Sequence, residues 1–224
     1  MQTNRLEELE NTINSIIAQN LEFLREYSKI RPGGIKKALF TFSMTRLKAS
    51  FEAAMLLMRN GYFMELSSIF RLIFEQLSWG CYLFTTDEIQ TTEEDLTKLK
   101  SPQQTIGYLK TAMQQDSLGP VYGLLSSGAH LTVSEITRYL DKNTDDCKID
   151  IIFQTEEADK DDISILYLLA GIYLDVTYTG IKHFGFSDKT CEDDFLKQYR
   201  KWHKGSILQL TDLMQTNEPL LNGN

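Results

Sequence analysis

The clearest indication of the fold is RLIFEQLSWGCYLF, residues 71–84. Most of its side chains are apolar, yet Arg71 and Glu75 stand about one helical turn apart. On a helix with roughly 100° per residue, apolar side chains cover the far side and the two charges share a narrow polar strip. The stretch therefore predicts a long, mostly buried helix over residues 62–84. We call the strip the polar seam, and it also contains Ser67, Ser68, Ser78 and Tyr82.

Two interpretations of the polar seam are open from the sequence. The seam is either the solvent-facing stripe of a mostly buried helix or an inward-facing polar contact. Small hydroxyl side chains favour close packing against another helix, since an exposed stripe usually carries longer charged residues. A buried, unpaired charge costs several kcal/mol, so an inward seam needs its partners in place.

The helical period continues along most of the chain. Apolar or interfacial residues recur at spacings of three and four between residues 5 and 30, which predicts a wide helical stripe. A second helix is predicted over 35–59, ended by Asn60 and Gly61, which both accept the left-handed conformation of a helix stop. Later helices are predicted to start near Thr91, Ser101 and Gly119, and to run over 132–141, 162–184 and 190–214.

Because clear period-two alternation is not evident, the predicted fold is all-α, an up-and-down bundle of about five long helices plus several short ones. The length suits a single helical domain over residues 1–224, with a frayed tail at 216–224. An extended piece is expected at 149–153 inside the irregular acidic segment 143–160. The N-terminal helix is expected to pack back on residues 35–59, since the break between them is short.

The charge balance limits the range of partners. A net charge of −8 argues against binding of nucleic acid over most of the surface. Basic residues concentrate in 27–51 and 197–204 and acidic ones in 141–162, and we interpret these as solvated faces that balance one another. Three cysteines without paired spacing, no apolar leader and no run long enough for a bilayer predict a cytoplasmic protein with no membrane association.

Motifs for common chemistries are missing from the sequence. Neither His130 nor the other two histidines, His183 and His203, has a glutamate three residues before it, which carboxylate di-iron bundles require. The sequence also lacks paired-cysteine zinc spacing, a phosphate loop and Gly-x-Ser-x-Gly. We therefore expect no metal and no cofactor.

A second polar face occurs in VYGLLSSGAHL, residues 121–131, where Tyr122, Ser126 and His130 are spaced four apart. Such a face is either a core histidine bonded to Ser126 or backbone, or the complement of the polar seam. Unmet hydrogen-bonding capacity costs about 1–3 kcal/mol per buried group, so mutual burial of the two faces is favoured. We predict that Arg71 or Glu75 lies within hydrogen-bonding or one-water reach of this face.

Residues 56–84 and 121–131 together resemble a bacterial helical family, the domain of unknown function 5677, over residues 35–140. The resemblance implies an all-α fold and brings no activity. It rests on Asn60, Gly61, Tyr62, Arg71, Glu75, Tyr122, Leu125, Ser126 and His130. A more distant similarity is to the HEPN helical superfamily, which includes dimeric RNases of toxin and phage-defence systems. Those carry an arginine four to six residues before a histidine, a relation that this sequence lacks.

Three hypotheses about function follow. The first is an interaction or regulatory module, linked to defence or stress systems, in which Arg71, Glu75 and His130 fix helix register. The second is a phosphodiester-cleaving RNase with a composite site: His130 as general acid or base, Arg71 stabilising phosphate charge, and Tyr122 or Ser126 orienting them. The third is a small-molecule sensor whose pocket the seam lines. Self-association is also expected, because the N-terminal stripe is long and Asn20 could set register in a homo-oligomer.

Overall fold

The computed structural model describes residues 2–28, 34–86, 99–114, 116, 118–130, 140–143, 148–151, 160–184, 193, 196, 197, 199 and 200. Between residues 2 and 184 the described chain forms six α-helices and one short 3₁₀ helix, Pro102–Thr105, so the predicted all-α bundle is confirmed. The α-helices are α1 Gln2–Ser28, α2 Ile35–Arg59, α3 Phe63–Thr85, α4 Ile106–Met113, α5 Leu118–Ala129 and α6 Lys160–Phe184. The helix predicted near Thr91 and the tail lie outside the described residues, as does most of 190–214.

Helices α1, α2 and α3 alternate in direction. An ion pair between Glu10 and Arg59 joins the start of α1 to the end of α2, so α1 packs back on α2 as predicted. The rings of Phe40 and Phe84 meet 6.1 Å apart, which places the start of α2 at the end of α3. Helix α6 then runs parallel to α3, since the Phe84 ring also lies 6.1 Å from His183.

Aromatic and long aliphatic side chains fill the core between α1, α2, α3 and α6. Tyr173 of α6 is fully buried, its ring lies 5.5 Å from that of Phe51, and its hydroxyl donates a 2.9 Å hydrogen bond to the Met44 carbonyl. The bond bridges two helices with a buried hydroxyl and leaves no unmet donor. The core therefore holds α6 against the same face of α2 that packs on α3.

Helix α2 ends at Asn60 and Gly61, as the sequence predicts. Gly61 adopts a φ of 72°, and its amide donates to the Met58 carbonyl. The amide of Tyr62 reaches back to the Leu57 carbonyl, which completes the double hydrogen-bond pattern of a Schellman stop. The chain turns sharply there, so α3 begins antiparallel to α2.

One prediction near residue 141 is wrong. The helix predicted over 132–141 does not reach its expected end, because Leu140–Asn143 forms strand β1, antiparallel to β2 Lys148–Ile151. The residues after Asn143 are turn formers, and Ile149 and Ile151 alternate with a polar residue, which together favour a hairpin. The extended piece expected at 149–153 is confirmed over 149–151.

Helix α6 is also the most membrane-like segment of the described chain. Its residues Asp162–Phe184 contain a window with mean hydropathy 1.4, long and apolar enough to cross a bilayer by length and composition alone. That window is 56% buried inside the bundle. Core helices meet the same criterion, so this is weak evidence for a membrane.

Asn20 lies in the core rather than on an oligomer surface. It is 0% exposed, and its amide has no hydrogen-bond partner in the described part of the chain. Because the α1 stripe faces its own bundle, Asn20 cannot set register between copies.

We expect Asn20→Leu to raise the free energy of unfolding by about 1–2 kcal/mol, since an unmet buried amide is removed. Urea unfolding would measure this. Asn14→Leu, an exposed position on the same helix, is the control, and a less stable Asn20→Leu protein would contradict the expectation.

Candidate functional site

Helices α3 and α5 bring four of the predicted site residues into one hydrogen-bond network. Nε of Arg71 donates to Oε1 of Glu75 over 2.9 Å. The hydroxyl of Tyr122 donates to the same oxygen over 3.0 Å. Nη1 of Arg71 lies 3.2 Å from Nε2 of His130. The predicted juxtaposition of the two faces is therefore confirmed, and we call these four residues the polar network.

A glycine sets how closely α5 approaches α3. A methyl group at Gly128 would lie 2.8 Å from Oγ and 3.1 Å from Cβ of Ser67, too close for an unadjusted contact. The small seam residue and the glycine thus permit close approach of the two backbones. The short distance between the helices is what allows the Tyr122 hydroxyl to reach Glu75.

The solvent exposure of the polar network increases from Glu75 through Arg71 to His130. The Glu75 side chain is 10% exposed and that of Arg71 is 20% exposed. His130, one residue beyond the end of α5, is exposed. The Tyr122 ring packs 5.5 Å from Phe74, with the Arg71 guanidinium 5.9 Å from its centroid. The network therefore has an apolar floor and opens to solvent at the histidine.

The contacts within the network favour a charged Arg71 and a neutral Tyr122. The hydrogen bond to Glu75 raises the pKa of Arg71 above its already high ordinary value. Burial, and then the hydrogen bond to Glu75, raise the pKa of Tyr122. Tyr122 is consequently a neutral hydroxyl donor at neutral pH, and one Glu75 oxygen accepts two charge-assisted hydrogen bonds.

The geometry also selects one form of His130. A guanidinium has donors and no acceptor, so Nε2 of His130 must present its lone pair to Arg71. The ring proton then sits on Nδ1.

The polar seam faces α4 and α5 over most of its length. Ser78 is buried and donates to the Phe74 carbonyl of its own helix, while Ser68 is exposed. Tyr82 packs edge-on against Tyr108 of α4, 5.0 Å between centroids. Of the two open interpretations, inward packing is correct except at Ser68.

One predicted residue does not join the polar network. Ser126 is half-buried and makes no hydrogen bond within the described residues. Its spacing places it between Tyr122 and His130 on α5, but its hydroxyl is too short to reach the charges on α3 that the longer side chains contact.

Sequence reasoning missed two features around the seam. The first feature is Gly128, which the sequence shows only as one of several small residues. Its role in the close approach of α5 to α3 depends on its contact with Ser67, which is distant in sequence. The second feature is Lys100, whose ammonium lies 5.1 Å from the Tyr108 ring and whose carbonyl accepts a hydrogen bond from the Trp79 indole. No local period marks such a contact between a loop and two helices.

The described residues contain no group of three His, Cys, Asp or Glu side chains that could hold a metal ion. Comparison of the chain with family models, with characterised proteins and with solved structures finds no match. The polar network and the surfaces of the bundle are therefore the features that indicate a function.

A larger side chain at Gly128 should push α5 away from α3 and weaken the contacts of the polar network. We expect Gly128→Ala to lower the free energy of unfolding by about 1–2 kcal/mol, because the added methyl overpacks against Ser67. Gly123→Ala on the same helix is the matched control, since a methyl there meets nothing within 4 Å. Guanidinium unfolding of both variants would compare them, and equal stabilities would contradict the close approach.

Proposed function

We propose that this protein is a helical interaction module in which the polar network pins α5 on α3. The observation that carries the proposal is the 3.2 Å contact between Arg71 and Nε2 of His130. It engages the lone pair that a general base would need, so the resting arrangement is that of a structural clamp. The network fixes register because each member loses a partner if α5 slides by one turn.

The proposal predicts a loss of order without a loss of catalysis. His130→Ala should reduce hydrogen-exchange protection of the α5 amides and leave RNA intact, as the wild-type protein does. The assay would incubate both proteins with single-stranded and structured RNA, using Lys110→Ala, an exposed lysine on α4, as the surface control. RNA cleavage by the wild type that His130→Ala abolishes without unfolding would overturn the proposal.

A second candidate function is RNA cleavage by a composite site. It is favoured by the meeting of Arg71 and His130 from different helices and by the exposure of the histidine. For catalysis, Arg71 would turn from the imidazole to a phosphate oxygen and free Nε2 as a base. Tyr122 would keep Glu75 in place. The cleavage assay above decides between the two functions.

A further inference from the structure

The outer face of α2 carries large apolar side chains in solvent. Phe42 is 64% exposed and Leu56 is 60% exposed. Thr45, Ala49 and Glu52 complete the exposed stripe at spacings of three and four. We call these five residues the α2 outer face. Its spacing is that of a helix-pairing stripe, although the opposite side of α2 already packs on the core.

The α2 outer face is nearly symmetric about Ala49. Phe42 and Leu56 lie seven residues to either side, which is about 10 Å along the axis. In an antiparallel pair with a two-fold axis at Ala49, each Phe42 meets Leu56 of the second copy. The two small Ala49 residues meet at the centre and let the helices approach.

Charge favours the antiparallel arrangement over the parallel one. Lys48 and Glu52 form a 3.4 Å ion pair on one edge of the face, and Arg46 lies exposed on the other edge. An antiparallel two-fold brings the Lys48 edges together, so each lysine lies beside Glu52 of the second copy. A parallel pair instead brings Lys48 beside Arg46 of the second copy, which is repulsive.

We propose that the α2 outer face is a self-association site whose partner is a second copy of this chain, paired antiparallel about Ala49. The proposal deepens the proposed function, on which it rests, by naming the partner. It also moves the expected self-association from the α1 stripe, which the fold uses internally, to α2.

Charge reversal tests the pairing because the face is self-complementary. Sedimentation velocity over a concentration series should show a reversible dimer for the wild type. Glu52→Lys alone should weaken dimerisation at least tenfold by bringing four cations together. Lys48→Glu combined with Glu52→Lys should restore it. Leu56→Glu should give a monomer, whereas Leu124→Glu, an equally exposed leucine on α5, should leave the dimer intact.

Cross-linking tests the geometry. In a background with Cys147→Ser and Cys191→Ser, the Ala49→Cys variant should form an intermolecular disulfide, since Cα atoms within about 7 Å can be bridged. Thr45→Cys should not, because the two copies of residue 45 are about 12 Å apart along the antiparallel axis. Cross-linking of both variants would overturn the antiparallel arrangement. A wild-type monomer at every concentration would overturn self-association, while the RNA and hydrogen-exchange results would still judge the interaction module itself.

Discussion

Gly180→Ala is expected to destabilise the protein by about 3 kcal/mol, near the upper end for overpacking a core. A methyl at this position of α6 would lie 2.6 Å from Cε1 of Phe40 and closer still to Cζ. The ring cannot retreat, because it is buried and packs on Phe84 and Phe184. Thermal unfolding should show a fall of about 6–12 °C in Tm for a chain of this size.

Gly171→Ala is the matched control for that experiment. It lies on the same helix, and a methyl there meets nothing within 4 Å. Replacing a helical glycine by alanine should then raise stability by about 0.5–1 kcal/mol. Phe40→Leu should partly restore the stability of the Gly180→Ala protein, because leucine is smaller than the ring that the added methyl would contact. If Gly180→Ala matched the control, α6 would not approach α2 as closely as described.

Glu75→Ala is expected to lower the free energy of unfolding by about 2–3 kcal/mol, somewhat less than for a fully buried ion pair. The change leaves Arg71 partly buried without its carboxylate and removes the acceptor of the Tyr122 hydroxyl. Arg71→Ala should lower the free energy of unfolding by less, about 1–2 kcal/mol, because the guanidinium is more exposed and Glu75 still accepts the hydrogen bond from Tyr122. Urea unfolding curves would provide both values.

Glu75→Gln separates the charge from the hydrogen bonds. Its amide oxygen can still accept from Arg71 and Tyr122, so the loss should fall between wild type and Glu75→Ala. A double-mutant cycle of Tyr122→Phe with Glu75→Ala should show coupling, since the two share one hydrogen bond. Additive losses, or a Glu75→Ala protein as stable as wild type, would show that the network does not hold α5.

Much of the site was predictable because its chemistry repeats with the helical period. The spacing of four between Arg71 and Glu75, and again between Tyr122, Ser126 and His130, places each set on one helix face from local geometry alone. The cost of burying unmet polar groups then pairs the two faces. Ser126 shows where this reasoning fails. The helical period predicts the face on which a side chain lies, but it does not predict whether that side chain is long enough to contact the neighbouring helix.

Most of the helices, their stops and the polar faces can be read from the sequence, because these depend on neighbours within one or two turns. The Asn60–Gly61 stop and the bounds of α2 follow from such local terms. Three features are visible only in the folded chain: Asn20 faces its own core, Gly180 meets Phe40, and the α2 outer face is left in solvent. These depend on which surfaces of distant segments coincide, and the helical period carries no information about that.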